Sequence, residues 1–414
     1  MFNHIFKKFT SWHVLFYVFI ITVGANAIRN SFQFLLIPVA NDFNVERSTI
    51  AIAMSLFIVV NGILSPIIGG IIDRYSARIV MVVGIVLLGV ACLLLSHSPN
   101  IYFFIVVFGI LGALGFSCIV GVPSQIYISH WFLKNRALAL SILGNSYSVG
   151  LIFLSPIMAI SPKDIGWNFT YLLFSLVFFI ILLPLVLWAI KEPPLVGKKN
   201  QSIRSKEKPT NLTYIYKTII HDKNILFIFL GLLVCGFSMG LIDTHFVPMM
   251  HDYHLSNVSI ANNMSILGVT IVIGGITSSW MSDKFFGRKN VLSVLFFIRM
   301  MSFLILLIPM GNIKFLIFAV LFGISYTGVV PISIAYISDY ADFKIIGSLI
   351  GYGTLFHQMG GVMGSYLSGL FFEYYKNYDI SIFTGVFLAF IATILNFPFL
   401  QREHKKLMKQ VKGG

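Results

Sequence analysis

The sequence predicts an all-α membrane protein with twelve transmembrane helices arranged as two six-helix bundles. Twelve predominantly apolar segments cover nearly all of the 414 residues and are separated by short polar breaks. A helix of ~20 apolar residues spans the ~30 Å hydrocarbon core of a bilayer. Charged residues make up only 11% of the chain, against roughly 25% in soluble domains. This composition excludes an ordinary cytosolic fold.

The apolar segments form two sets of six. In chain order the predicted spans are 12–40, 48–72, 79–96, 101–128, 137–160, 167–190, 224–250, 258–281, 290–309, 313–338, 347–372 and 380–400. Residues 191–223 form the long polar stretch between the two sets, which predicts a basic cytoplasmic linker that acts as a flexible tether. We therefore place the N-terminal bundle at 1–190 and the C-terminal bundle, with a basic cytoplasmic tail, at 224–414.

The Lys and Arg residues of the loops predict the orientation. With both termini inside, the inside segments hold 23 of the 29 Lys and Arg residues, the outside segments hold four, counting Lys314 at the very start of the tenth span, and the interiors of the spans hold two. Cytoplasmic loops of membrane proteins carry the excess of positive charge. We expect a multi-pass protein of the cell membrane with both termini cytoplasmic, whose linker can contact anionic lipid headgroups.

Several functions are not supported by the residues. The net charge of +14 does not predict nucleic-acid binding, because the basic residues lie between apolar segments and do not cluster on one solvated face. The three cysteines lie inside apolar segments and have neither disulfide nor metal-ligand spacing. The chain has no P-loop, zinc-ligand set or nucleophile motif. We expect no enzyme, no catalytic residues, no cofactor and no metal site.

Two copies of an acid-then-base turn lie 210 residues apart, after the second and the eighth span. The first copy reads GGIIDRYSAR and the second reads SSWMSDKFFGRK. Such a repeat indicates a duplicated bundle with a cavity between the halves. The turns either mark loops or form a latch at the cytoplasmic mouth, in which a carboxylate pairs with guanidinium groups or a helix N-terminus of the other half. We favour the latch, with residues Gly69, Asp73, Arg74, Arg78, Asp283, Lys284 and Arg288.

The duplicated GxxxDR turn resembles that of the major facilitator superfamily. Five further stretches narrow the resemblance to the monocarboxylate-transporter-like branch, which includes oxalate/formate exchangers. These stretches are Arg29-Asn30-Ser31-Phe32, the segment from His130 to Ala139, Gly166-Trp167, Thr244-His245-Phe246-Val247-Pro248 and Phe356-His357-Gln358-Met359-Gly360. The resemblance covers essentially the whole chain.

This resemblance implies a cavity lined by the first, fourth, seventh and tenth helices. This sequence also departs from the family pattern at one position of the eighth helix. Members that carry simple monocarboxylates typically place an arginine late in the eighth helix, and Gly275 occupies the matching position here. The family's main carboxylate clamp is therefore missing.

Arg29 lies late in the first span, between apolar runs. An uncompensated charge at that depth costs roughly 2.5 to 3.5 kcal/mol, so the guanidinium needs a partner or water. Two interpretations stay open. Arg29 binds an oxyanion of the solute in bidentate fashion, or it forms a structural pair with an acid of the seventh span.

Asp243 and His245, in the seventh span, are candidates for proton coupling because a carboxylate and an imidazole can each take up and release a proton. Two residues apart on a helix, their side chains point about 200° apart. We expect one of them to face the solute and the other to face a neighbouring helix.

Other polar side chains of the spans could contact the solute. His357 is a candidate second anion or proton contact, unless its imidazole bonds a neighbouring carbonyl group. Arg299, in the ninth span, is expected to pair internally and not to bind solute. Hydrogen bonds to solute, or equally between helices, are expected from Gln33, Gln125, Asn145 and Tyr147.

The favoured hypothesis is a secondary active transporter of a small organic anion of the carboxylate type, coupled to protons, which works by alternating access. The first alternative is an exporter or importer of a larger amphipathic solute such as a drug or a siderophore. The missing arginine and the many aromatic residues favour that alternative. A third hypothesis, from another class, is a transporter-like membrane receptor that binds a ligand without moving it.

Overall fold

The computed structural model describes residues 11–74, 76–132, 136–164, 166–190, 221–340 and 346–397, and each of the twelve predicted spans falls on a helix there. In chain order the helices are α1 (Ser11–Asp42), α2 (Arg47–Arg74), α3 (Ala77–Ser96), α4 (Ile101–Val106, Val107–Gly112, Ala113–Ser117 and Val122–Trp131), α5 (Arg136–Gly144 and Ser146–Asp164), α6 (Trp167–Leu176, Val177–Leu182 and Leu183–Ala189), α7 (Lys223–Asp252), α8 (Asn257–Met281 and Ser282–Phe286), α9 (Arg288–Leu307), α10 (Ile313–Tyr326 and Val329–Tyr340), α11 (Ile346–Tyr375) and α12 (Asp379–Leu395). Most of the predicted linker and all of the predicted tail beyond 397 lie outside the described residues.

The helices have the length and composition of membrane spans. Within the described ranges, nine are long and apolar enough to cross a membrane, and Ile142–Met158 and Asp379–Leu395 are shorter apolar helices. Large apolar side chains, including Phe153, Ile180 and Phe383, are exposed on the helix surfaces. Such a surface suits a lipid environment, in which the backbone polar groups are satisfied within each helix.

The helices group into two compact units. Unit 1 comprises the described residues of Met1–Lys208 together with Asp243–Ser265, and unit 2 comprises those of Pro209–Ile242 together with Ile266–Gly414. Helix α7 is therefore shared, because its residues up to Ile242 group with unit 2 and those from Asp243 onward group with unit 1. The predicted bundle boundaries at 190 and 224 stay a prediction.

In unit 1, helix α4 departs from regular α-helix at two places. Residues Val107–Gly112 form a π-helical turn, and Gly121 adopts a φ of +81° just before Val122–Trp131 begins. A π turn holds an extra residue, so it rotates every later side chain around the helix axis. Around this turn, Phe108 stacks with Phe104 at 6.1 Å between ring centroids.

In unit 2, glycines allow α7 and α11 to approach closely. A Cβ at Gly240 would overlap the backbone of Gly361, and a Cβ at Gly364 would overlap the backbone carbonyl of Phe237. Small residues of this kind let membrane helices pack backbone against backbone.

We expect Gly240→Ala to destabilise the protein strongly, because the added methyl group meets immobile backbone atoms of α11. Overpacking of this kind costs about 1 to 3 kcal/mol. The melting temperature of the purified protein in detergent measures the effect. Gly351→Ala, on α11, is the control because a Cβ there meets nothing within 4 Å. Equal melting temperatures for the two variants would contradict the packing described.

Candidate functional site

Arg29, Tyr147 and Asp243 meet inside unit 1. An Nη2–H of Arg29 donates to Oδ2 of Asp243 at 2.7 Å, and the Tyr147 hydroxyl donates to Oδ1 at 2.9 Å. The Asp243 side chain is 5% exposed and that of Arg29 is 24% exposed. Arg29 Cζ also lies 5.2 Å from the centre of the Tyr147 ring. Both carboxylate oxygens therefore have a donor, and the two opposite charges balance.

Two asparagines of α1 hold the start of the second α5 segment in place. Asn26 Nδ2 donates to the Ser146 hydroxyl at 3.2 Å, and Asn30 Nδ2 donates to the Tyr147 carbonyl at 3.1 Å. The glycine at 150 allows the two helices to approach, because a Cβ there would lie 3.3 Å from the Val23 carbonyl. These contacts fix the backbone of Tyr147, so that its hydroxyl reaches Asp243.

The ion pair corresponds to one of the two interpretations of Arg29, the pair with an acid of the seventh span. Arg29 keeps about a quarter of its side chain exposed, so the pair leaves room for a second ligand. Three neighbouring polar atoms are buried and make no hydrogen bond within the described structure. They are Asn30 Oδ1, Gln33 Oε1 and Ser148 Oγ.

The other residues predicted to contact solute or protons differ in their burial and in the unit to which they belong. His245 is fully buried, Asn145 is half-buried and Gln125 is exposed. His357 lies in unit 2, where its Nε2 is 3.4 Å from Sδ of Met239. Sequence reasoning missed Asn26, Asn30 and Ser148, although an asparagine within an apolar span is itself a signal of a buried polar contact.

The predicted latch residues make contacts within their own halves of the sequence. Arg78 donates to the Leu187 carbonyl at 2.9 Å, and Asp283 pairs with Arg288 at 3.2 Å. Lys284 lies 5.9 Å from the ring of Trp280. Gly69 is on α2, and the side chains of Asp73 and Arg74 fall outside the described part of the chain. A latch between the halves stays a prediction.

Gly275, at the position of the missing arginine, packs against the interruption of α10. A Cβ at Gly275 would crowd the Thr327 hydroxyl, and a Cβ at Gly274 would overlap the backbone of Ile324. The Thr327 hydroxyl in turn donates to the Ile271 carbonyl at 3.1 Å. This surface of α8 is thus used for close helix packing, which leaves no space for an arginine side chain unless α10 moves.

Arg299 supports the same interruption from α9. Its guanidinium is fully buried and donates to the carbonyl groups of Ser325, at 2.5 Å, and Tyr326, at 3.2 Å. The ring of Phe322 lies 5.3 Å from Arg299 Cζ. The first α10 segment ends at Tyr326, so Arg299 supplies donors to carbonyl groups where the regular helix stops.

We expect Arg299→Met to lower the free energy of unfolding by at least about 2 kcal/mol, because it leaves buried carbonyl groups without their donors. Arg47→Gln is the control, since Arg47 and Asp252 form a bidentate ion pair that solvent can reach, and its loss leaves no buried carbonyl group without a donor, so it should cost less. Urea unfolding of the detergent-solubilised protein compares them. Equal losses would show that the α10 carbonyl groups do not need Arg299.

The long apolar helices, with an ion pair held among them, define a multi-pass membrane protein. Residues 14–256 and 228–413 match the family model of the Major Facilitator Superfamily. An uncharacterized MFS-type transporter of Bacillus subtilis (strain 168) is 38% identical over 401 residues, which cover 95% of this chain and 97% of the relative. Monocarboxylate transporter 12-B of Danio rerio is 22% identical over 430 residues, covering 95% and 89% of the two chains.

Solved structures show the same fold. A bacterial homolog of the human lysosomal transporter Spinster, in an inward-facing and unoccupied conformation, superposes with a TM-score of 0.73 at 12% identity, covering 94% of this chain and 97% of the homolog. The nucleoside transporter NupG gives a TM-score of 0.73 at 14% identity and coverages of 94% and 99%.

The chain belongs to the major facilitator superfamily. It is a multi-pass membrane transporter that moves a small-molecule solute by alternating access. The predicted family and fold class are thereby confirmed, and the relatives and the fold are those of transporters, not of enzymes.

Proposed function

We propose that this protein is a proton-coupled secondary transporter of a small organic anion of the carboxylate type. The observation that carries the proposal is the partly buried ion pair between Arg29 and Asp243, with its hydrogen bond from Tyr147. Arg29 is the anion-binding group and Asp243 is the proton carrier. Because Arg29 and Asp243 already bind each other, the ion pair can couple binding of the anion to binding of the proton.

Charge balance explains the coupling. In the empty site, the carboxylate of Asp243 neutralises Arg29. If an anion binds Arg29 while Asp243 stays ionised, one negative charge is left without a partner in a poorly solvated site, which costs several kcal/mol. Protonation of Asp243 removes that charge, and the anion then takes the place of the carboxylate on the guanidinium. Proton and anion therefore bind together.

Tyr147 and the buried amides complete the binding site. When Asp243 is protonated, the Tyr147 hydroxyl can donate to the bound carboxylate of the solute. Gln33 Oε1 and Asn30 Oδ1, both buried acceptors without a described donor, suit a hydroxyl group on the solute or an ordered water molecule. His245 and His357 are the reserve candidates for the proton.

The relatives and the charge distribution support this assignment. One relative that covers 95% of the chain is named a monocarboxylate transporter. We assign the protein to the cell membrane, and the excess of Lys and Arg in the loops on the same side as the termini supports an orientation with both termini cytoplasmic.

A second candidate function is transport of a larger amphipathic solute. The close packing of Gly275 on Thr327 favours it, because the family's carboxylate clamp has no counterpart at that position. Such a solute would contact Arg29 and would bind mainly through apolar groups.

Flux into proteoliposomes tests both candidates. Purified protein is reconstituted with an acidic outside and a neutral inside, and radiolabelled mono- and dicarboxylates are compared with amphipathic dyes. Accumulation of a carboxylate that collapses with a protonophore supports the proposal. Dye transport without carboxylate transport supports the second candidate, and ligand binding without flux would indicate a receptor.

A further inference from the structure

Two sulfur atoms and one imidazole nitrogen lie together in unit 2, outside the Arg29–Asp243–Tyr147 site on which the proposed function rests. Sγ of Cys235 lies 3.8 Å from Sδ of Met239, and that Sδ lies 3.4 Å from Nε2 of His357. Cys235 is fully buried, whereas Met239 and His357 are half-buried. The cluster is therefore enclosed on the thiol side and reachable on the imidazole side.

Helix geometry places these atoms. Cys235 and Met239 are four residues apart on α7, so their side chains are neighbours on one helix face. The close packing of α11 supplies the third. A Cβ at Gly236 would overlap the backbone carbonyl of His357, and a Cβ at Gly360 would overlap that of Leu233. Backbone-to-backbone contact thus holds the imidazole against Sδ of Met239, which in turn contacts Sγ of Cys235.

We propose that Cys235, Met239 and His357 form a binding site for a soft monovalent metal ion, Cu(I) or Ag(I). Thiolate and thioether ligands select Cu(I), and imidazole also binds copper. In the described ranges no group of three or more His, Cys, Asp or Glu side chains could hold a metal ion, so the thioether of Met239 is what completes this set. The absence of a carboxylate from the set disfavours hard cations such as Mg²⁺ and Ca²⁺.

The distances fit a three-coordinate ion. With metal–sulfur bonds of about 2.3 Å and metal–nitrogen bonds of about 2.0 Å, a trigonal arrangement puts two sulfur atoms about 4.0 Å apart and sulfur about 3.7 Å from nitrogen. In the structure, Sδ of Met239 lies 3.8 Å from Sγ of Cys235 and 3.4 Å from Nε2 of His357. Small side-chain movements are therefore enough to seat the ion.

The local charge also permits binding. Arg299 donates to the backbone carbonyl of Cys235 at 3.5 Å, so a bare extra positive charge next to it would be unfavourable. Binding as a thiolate avoids this cost, because one thiol proton leaves for the solvent as one monovalent ion arrives. The net charge of the site then stays the same, and a divalent ion has no such balance.

Silver titration of the full-length protein in detergent, in chloride-free buffer, tests the site. The reference protein carries Cys92→Ser and Cys118→Ser, which leaves Cys235 as its one cysteine. We expect it to bind one equivalent of Ag(I) and to melt at a higher temperature with the ion than without it. Cu(I), supplied anaerobically with a colorimetric chelator as competitor, should give the same stoichiometry.

Adding Cys235→Ser, Met239→Leu or His357→Gln should each weaken Ag(I) binding by more than about 100-fold, since even second-shell changes cost 10- to 100-fold. Met239→Leu keeps the side-chain volume, and gel filtration verifies that each variant is folded. Unchanged affinity in Met239→Leu and His357→Gln, or tighter binding of Zn²⁺ than of Ag(I), would overturn the proposal. Arg29→Gln should bind Ag(I) normally, so this result is independent of anion transport.

Discussion

Arg29→Gln is expected to abolish uptake of the organic anion while the protein stays folded and inserted. The substitution removes the guanidinium that would bind the carboxylate and leaves Asp243 without the partner now at 2.7 Å. A hydrogen bond to a charged group contributes about 1.5 to 3 kcal/mol, and about 1.4 kcal/mol corresponds to a tenfold change, so loss of a two-bond contact to the anion should lower transport at least ~100-fold. Initial rates of radiolabelled uptake into proteoliposomes, normalised to the reconstituted protein, measure the loss.

Two control variants separate binding from folding. Arg29→Lys keeps the charge but not the planar pair of donors, so it should retain weak uptake with a raised KM. The double variant Arg29→Gln/Asp243→Asn removes both charges and should melt at a higher temperature than Arg29→Gln alone, yet it should still not transport. Uptake of near-normal affinity in Arg29→Gln would make Arg29 a structural residue only.

Asp243→Asn is expected to separate solute movement from the proton gradient. An amide resembles the protonated carboxyl group, so the site always presents a free Arg29 to the anion. Accumulation against a gradient should then fall to the level reached by a protonophore-treated wild type. Exchange of internal for external anion should continue, because the loaded site keeps its balanced charge in both directions. The two assays are run on the same proteoliposomes.

Tyr147→Phe is the companion variant for that experiment. It removes the hydroxyl that donates to Oδ1 of Asp243 at 2.9 Å and leaves the carboxylate in place, so it should lower the transport rate but keep the coupling to protons.

If Asp243→Asn still accumulates anion in response to an acidic outside, the proton role passes to His245 or His357. The corresponding His→Gln variants would then decide between those two residues.

The fold could be predicted because lipid imposes simple rules on the sequence. Each of the twelve apolar spans falls on a helix, since a bilayer requires long apolar segments whose backbone bonds close within the segment. The position of the repeat and the family resemblance followed from the duplicated turn. Contacts between helices that are distant in the sequence are harder to predict, because the sequence does not say which residues of one helix face which residues of another.

Some contacts of the candidate site could be predicted from the sequence and others could not. A pair between Arg29 and an acid of the seventh span could be anticipated, because a charge in an apolar helix needs a partner. The hydroxyl contact of Tyr147 and the sulfur contact of His357 could not, as both depend on how closely two helices pack. Gln125, a candidate for a hydrogen bond to solute or between helices, follows the π turn of α4 and is exposed. Periodicity alone cannot follow a helix face past such a turn.

The neutrality of the Arg29–Asp243 pair has a bearing on bioenergetics. Membrane voltage acts only on net charge that crosses the bilayer. Under the proposed coupling, the unloaded site carries balanced charge on its return, and the loaded site carries an anion together with the proton that entered with it. Neither passage generates current, so the solute ratio that a cell can sustain would follow the pH difference alone, whatever its electrical potential.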